Sequence, residues 1–182
     1  MKAPDAAEVG VREAVRAVLA DYAHGVDRGD WDLVRSCYHA DATDHHGVVV
    51  GTVDDLIAHM AATLDFAGTA HYELQSRIQV DGDVVHAESS SVAIHWHEAG
   101  SGRPDLWMGV RYVDRFRARD GDWRIQDRRT VLDWVREVDG PDADWPAAHR
   151  FLRGRPDATD PACSPVPTPH PQPDPATPEA SA

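Results

Sequence analysis

Val11, Val15, Val18, Leu19, Tyr22 and Val26 recur at intervals of three and four, which places them on one face of a helix of about four turns. Gly25 and Gly29 mark its end. Asp30 then caps a short second helix over WDLVRSCYH, with Trp31, Val34 and Tyr38 on one side. DATDHHGVVVG reads as a short strand. Thr52 and Asp55 resemble a capping box with Asp in place of the usual Glu or Gln, and Leu56, Ile57, Met60 and Leu64 supply the buried stripe of a third helix.

Beyond residue 70 the period changes from helical to alternating. HYELQSRIQV, the turn Asp81-Gly82-Asp83 and VVHAESSSVAIHWH form one expected hairpin. After GSGRP, DLWMGVRYVDRFRAR, the turn Asp120-Gly121-Asp122 and WRIQDRRTVLDWV form a longer one. Three helices followed by consecutive antiparallel strands describe an α+β domain, with the helices on one face of a curved sheet that must cup something. The pattern ends near Gly140. DWPAAHRFLRG within 140–154 reads as one docked helical turn. Residues 155–182 are Pro-rich and nearly free of large apolar groups, so they are expected to form a flexible tail.

Composition narrows the function. The chain has 182 residues and 42% hydrophobic content, enough to bury one sizeable core. Its formal net charge of -13 disfavours nucleic acid and anionic membrane, which attract a positive field. The N-terminus lacks the apolar run of a signal peptide, and no stretch approaches the roughly 20 apolar residues of a span. With two distant cysteines, Cys37 and Cys163, a structural disulfide is not expected. The expected protein is cytoplasmic.

Strand parity then identifies a pocket face. Met108, Val110, Tyr112, Asp114 and Phe116 share one side of their strand, and Gln126, Arg128, Thr130, Leu132 and Trp134 share one side of the next. Apolar bulk with sparse polar groups is what a small-molecule pocket requires; a plain amphipathic sheet with a solvated edge has the same pattern. His71 stands at a loop-to-strand boundary in GTAHYELQ. An imidazole with an ordinary pKa of ~6.5 can act there as a general base, although most of the 11 histidines must be structural or exposed. Asp27 would fix its tautomer if the two meet. A lone aspartate near a helix C-terminus is electrostatically disfavoured and so calls for a partner.

Taken in order, AVLADYAHGVDRGDWDLVRSCYHADATDHHG, GTAHYELQS and GVRYVDRFRARDGDWRIQDRRTVLDW resemble the SnoaL-like branch of the nuclear transport factor 2 superfamily over about residues 8 to 136. The resemblance implies a cone-shaped α+β barrel across residues 1–139. Its lyase members include scytalone dehydratase, hexachlorocyclohexane dehydrochlorinase and bile-acid 7α-dehydratase, and they use a histidine–aspartate dyad. Here Asp27 and His71 fill those positions. Arg128 matches an arginine that stabilises a departing group, and Tyr22 a tyrosine that assists loss of a hydroxyl. Two departures stand out: SSSVAIHWH lacks a carboxylate found in the bile-acid enzymes, and Asp44 replaces a pocket tryptophan of the dehydrochlorinases.

The expected function is therefore a cofactor-independent lyase, a dehydratase or isomerase, acting on an oxygenated cyclic substrate. His71, Asp27, Tyr22 and Arg128 are its catalytic candidates; Trp31, Asp44, His46, Met108, Tyr112 and Leu132 line its expected substrate pocket. No metal or cofactor is called for. Two rivals compete with this reading. Asp44/His46 and His95/His97 each share a strand face and together would suit zinc or iron. Alternatively, the same fold holds a ligand or partner without chemistry. GSGRP lacks the lysine and helix of a phosphate loop, and the two DGD turns lack the further carboxylates of a calcium loop. The resemblance also implies a homo-oligomer, with a trimer favoured, through the outer sheet face around Trp107, Arg111, Val113, Arg115 and Arg117.

Overall fold

The computed structural model describes residues 3–63, 65–140, 146, 150 and 152–163. Helix α1 (Ala6–Arg28) spans 23 residues, longer than its apolar stripe alone requires. Asp5 caps it by accepting from the Glu8 N–H at 2.9 Å. Gly29 closes it at φ 62°, a left-handed conformation that glycine adopts without steric cost. Helix α2 (Trp31–Ser36) is capped by Asp30 and folds tightly against α1. The approach depends on Gly25, where an added Cβ would lie 2.8 Å from Val34 Cγ2 and 3.1 Å from the Asp30 carbonyl oxygen.

The second helix is shorter than its periodicity predicts. The Cys37 carbonyl accepts from the Ile125 N–H at 2.9 Å, and Tyr38 already pairs with Ile125 in strand β1 (Tyr38–His46). Sheet pairing here overrides a helical apolar pattern. The expected single strand that follows is a hairpin of β1 with β2 (Val49–Gly51), reversed at Gly47 with φ 70°. Helix α3 (Val53–Thr63) has the expected capping box: the Thr52 N–H donates to Asp55 Oδ2 at 2.8 Å, and the Asp55 N–H to Thr52 Oγ1 at 3.2 Å. Val53, Leu56, Ile57 and Met60 form its buried stripe. Leu64 lies outside the described residues.

Strands β3 (Gly68–Asp81), β4 (Val84–Trp96), β5 (Asp105–Arg119) and β6 (Asp122–Val138) form the two hairpins. The sheet order is β2-β1-β6-β5-β4-β3, with β1 parallel to β6 and every other pair antiparallel. Strands β2 and β3 are edges, so this six-stranded mixed sheet is open and not a closed barrel. Helices and sheet share one core that includes Val15, Leu19, Leu56, Phe116 and Ile125.

Two bulges in β6 correct the parity expected for that strand. Gly109 pairs with Trp134 while Val110 pairs with Leu132, so Asp133 is the extra residue. Trp134 is thereby turned to the outer face, over Gly109, where a Cβ would collide with the indole. Likewise Phe116 pairs with Ile125 and Arg115 with Asp127, leaving Gln126 as the inserted position.

Residues 152–163, which include the first part of the segment expected as a tail, carry a 3-10 turn at Pro161–Cys163. Asp160 is buried and accepts from the Arg155 and Ala162 N–H groups at 2.7 and 2.8 Å. Its Oδ2 also lies 3.2 Å from Arg28 Nε at the end of α1. The turn expected within 140–154 falls mainly outside the described residues. Cys37 and Cys163 are both free. Among the described residues, no helix is long and apolar enough to cross a membrane.

Candidate active site

The last two turns of α1 carry Tyr22, Val26 and Asp27 to the start of β3, where Thr69 and His71 face them. Asp27 Oδ1 lies 2.7 Å from His71 Nδ1 and accepts from the Thr69 hydroxyl at 2.8 Å. Its Oδ2 accepts from the His71 backbone N–H at 2.8 Å. Both carboxylate oxygens are therefore engaged by one short segment of β3. This accounts for the aspartate at a helix C-terminus: donors from the strand compensate the unfavourable end of the dipole.

Burial acts to raise the Asp27 carboxyl, but the His71 ring hydrogen bond, its charge, its backbone N–H and the Thr69 hydroxyl together hold it below the usual carboxylate range. An ionised Asp27 accepts from Nδ1–H, which leaves the Nε2 lone pair of neutral His71 available for a proton. The two side chains are 12% and 8% exposed, so this hydrogen bond is shielded from water.

His71 lines a cavity of about 350 Å³ that lies between the helices and the inner sheet face and is open on one side to solvent. Val26, Met60, Met108, Val110 and Leu132 provide apolar walls, while Tyr22, His46, Tyr112 and Thr130 supply polar groups. Five expected site residues besides His71 are thus brought to one cavity: Tyr22, His46, Met108, Tyr112 and Leu132. Burial pushes the Tyr22 hydroxyl well above its ordinary pKa, with the Arg128 charge only partly opposing it. Tyr22 is consequently a protonated donor at neutral pH.

Three expected residues lie elsewhere. Arg128 does not line this cavity. Its side chain is fully buried, paired with Asp114 at 2.8 and 2.7 Å, and stacked 4.2 Å from the Tyr22 ring centroid and 4.3 Å from that of Tyr112. Parity placed it on the correct face, but the tyrosines lining the cavity are stacked on its guanidinium. Asp44 is likewise fully buried and outside the lining; its Oδ2 accepts from the Tyr38 hydroxyl at 2.7 Å. Of that expected pair, His46 lines the cavity and Asp44 stands behind it. Trp31 lines an adjoining hollow with Phe66 and Pro156, because α2 diverges from the cavity after Gly29.

Sequence reasoning missed Thr69 as a site residue, although it lies two positions from His71 on the same strand face; Thr130, which parity placed on the pocket face, also lines the cavity. His95 also lines the cavity, opposite Thr69 in the β3–β4 ladder, with its ring centroid 6.0 Å from that of His71. Burial lowers His95 to about 4, helped by charge on His71 and opposed by Asp27. As pH falls from the ordinary 6.5 toward 4, the unfolded chain takes up a proton that folded His95 refuses. Stability should fall over that window by roughly 1–2 kcal/mol, allowing for partial exposure. His95→Gln should flatten this slope, as read by urea denaturation at pH 7 and pH 5; an unchanged slope would locate the titration elsewhere.

The two strand pairs considered for a metal are not assembled. His97 Nδ1 lies 2.9 Å from the Pro104 carbonyl oxygen, and its backbone N–H donates to Asp105 at 2.9 Å. Among the described residues, no three His, Cys, Asp or Glu side chains are grouped to hold a metal ion.

The three helices on a six-stranded mixed sheet, with the histidine–aspartate contact on the cavity wall between them, define an α+β protein of the nuclear transport factor 2-like class. The sequence profile of the SnoaL-like domain matches residues 7–129, and the chain belongs to that family. Solved structures agree in fold. A proposed scytalone dehydratase from Novosphingobium aromaticivorans is 19% identical with a TM-score of 0.63, covering 75% of this chain and 96% of its own. Hexachlorocyclohexane dehydrochlorinase LinA-type3 from Novosphingobium barchaimii is 18% identical with a TM-score of 0.65, covering 76% and 97%. A single-residue variant of Rv3472 from Mycobacterium tuberculosis, a protein of unknown function, is 24% identical with a TM-score of 0.57, covering 66% and 74%. No curated protein matches the sequence.

Proposed function

We propose that the protein is a cofactor-independent lyase, a dehydratase of oxygenated cyclic substrates in the cytoplasm. The observation that carries this reading is the 2.7 Å Asp27–His71 contact on the wall of a largely apolar cavity. An aspartate aligned on the inner nitrogen of a cavity-lining imidazole favours proton transfer over a pure binding module. Two of the structural relatives bear the names of elimination enzymes, one of water and one of hydrogen chloride, so elimination is the chemistry they share.

His71 Nε2 takes a proton from carbon beside an activating group. Asp27 stabilises the resulting imidazolium, and the Tyr22 hydroxyl donates to the oxygen that gains charge. Collapse of that electron pair forms the C=C bond and breaks the C–O bond, and the leaving hydroxide takes the proton back from the His71 imidazolium to depart as water; reprotonation at a different carbon gives isomerisation by the same first step. Arg128 supports Tyr22 and Tyr112 from behind. Cyclic hydroxylated ketones should lose water in the presence of the protein, as followed by absorbance of the conjugated product. His71→Ala should lower kcat by roughly 10²- to 10⁴-fold while leaving the circular dichroism spectrum unchanged. Wild-type rates in that variant would remove His71 as the base. A homo-oligomer, favoured as a trimer, belongs to the same reading: Trp107, Trp134 and Val113 are 41%, 41% and 39% exposed on the outer sheet face. Sedimentation analysis checks this assembly.

A further inference from the structure

The end of α1 is held from two sides. On the sheet side, Asp27 is fixed by the Thr69 hydroxyl and by the ring and backbone N–H of His71. On the other side stands the segment 152–163, which lies beyond the residues 7–129 matched by the family profile, so its contacts belong to this chain's own sequence. Gly29, in its left-handed conformation, lets that segment come close: an added Cβ would meet the Pro156 carbonyl oxygen at 3.1 Å. Pro156, Asp157 and Ala158 then complete the hollow beside the cavity, and Val26, Met60 and Thr69 line both spaces.

Asp160 pins this contact. It is only 3% exposed, and its carboxylate organises its own turn: Oδ1 accepts from the Ala162 N–H at 2.8 Å and Oδ2 from the Arg155 N–H at 2.7 Å. A carboxylate held this far from water is stable only where donors and a countercharge meet it. Arg28 is the countercharge, with Nε 3.2 Å from Asp160 Oδ2. The same guanidinium donates from Nη1 to the carbonyl oxygen of Asp27 at 3.1 Å. The last carbonyls of a helix lack partners within it. Those of Gly25 and Val26 are met by the Asp30 and Gly29 N–H groups, and that of Asp27 by Arg28. One side chain thus joins Asp160 to the backbone of the dyad aspartate.

We propose that Asp160 is a positioning residue of the active site: through Arg28 it holds the last turn of α1, and with it Asp27, in the place that fixes the His71 ring. The assignment rests on the reading of Asp27 and His71 as the working dyad of a dehydratase. Asp160 does not line the cavity, so its contribution is to geometry and not to contact with substrate. Geometry is enough to matter, because a displacement of about 1 Å at a reacting group can cost on the order of 10²-fold in rate. The segment that composition alone marks as a tail is by this account part of the catalytic framework.

Amide hydrogen exchange, followed by NMR, tests this without turnover. The His71 N–H is held by Asp27 on an edge strand, so its exchange rate reports on Asp27 directly. In Asp160→Ala that amide should exchange at least about tenfold faster, while the amides that join β5 to β6 keep their wild-type rates. Arg28→Ala should have the same effect, and the double variant should be no faster than Arg28→Ala, because the two residues act through one contact. On a hydroxy ketone that the wild type dehydrates, kcat of Asp160→Ala should fall roughly ten- to hundredfold, with KM changed by less than about threefold. Unchanged exchange at His71 in Asp160→Ala would overturn the assignment. Equal acceleration at His71 and at the β5–β6 amides would overturn it too, as a loss of stability alone, and so would additive effects in the double variant. Faster exchange with wild-type kcat and KM would remove Asp160 from the active site. The expected exchange pattern in a wild type that dehydrates no hydroxy ketone would support the hold on Asp27 and overturn the dehydratase reading instead.

Discussion

Asp27→Asn is expected to lower kcat by about 10⁴-fold with little loss of fold, by analogy with the orienting carboxylate of hydrolase triads. The reason is hydrogen-bond polarity. Wild-type Asp27 accepts from three groups of β3: the His71 ring, the His71 backbone N–H and the Thr69 hydroxyl. Asparagine has one accepting oxygen. If that oxygen keeps the backbone N–H, the amide NH₂ faces Nδ1, the ring takes the opposite tautomer, and Nε2–H points into the cavity where a base is required. Steady-state kinetics on a turned-over hydroxy ketone measures the loss; a kcat within tenfold of wild type would exclude this role for Asp27.

The same substitution has a consequence for stability against pH. The Asp27 pKa is lowered in the fold. Its contribution is therefore fully present above the unfolded value near 3.9 and is lost as pH falls through the folded value. Asp27→Asn should remove that part of the acid transition, at lower pH than the His95 window. The two titrations are thus separable in one series of urea melts.

Arg128→Ala is expected to be the most destabilising single change, costing about 3–5 kcal/mol. Arg128 and Asp114 are both fully buried and joined by two hydrogen bonds, and the guanidinium carbon lies 4.2 and 4.3 Å from the ring centroids of Tyr22 and Tyr112. Removing the arginine leaves the Asp114 carboxylate buried without its partner and opens space behind two residues that line the cavity. Arg128→Met combined with Asp114→Leu should recover much of the loss, since it removes both charges and keeps the volume. Urea denaturation at pH 7 decides the matter: a loss below about 1 kcal/mol in Arg128→Ala would mean that the pair contributes little.

These expectations change what Arg128 is for. The family resemblance presents it as a group that touches the departing atom. Its place behind Tyr22 and Tyr112 makes it a positioning residue instead, holding two phenols whose rings and hydroxyls shape the cavity.

Much of the fold was legible in the chain because it is encoded locally. The spacing of Val15, Leu19, Tyr22 and Val26, the Thr52–Asp55 box and the two Asp-Gly-Asp turns each depend on residues a few positions apart. The same holds for the alternation in β3 to β6. Local pattern failed where distant pairing decided the outcome. Tyr38 has helical spacing but joins β1 because Ile125 is its partner, and Trp134 leaves the pocket face because an inserted Asp133 shifts its parity.

The candidate site divides along the same line. By itself, the sequence determined an α+β chain in which Tyr22, Asp27 and His71 stand at element ends suited to chemistry, and it placed Met108, Tyr112 and Leu132 on one sheet face. Only the tertiary structure decided that Asp27 meets His71 across 44 positions of chain, that Asp44 stands behind His46, and that Arg128 is buried with Asp114. Periodicity records which side of an element is apolar. Which polar groups on those sides come within hydrogen-bond reach depends on strand register, bulges and the docking of α1, and these are properties of the packed chain.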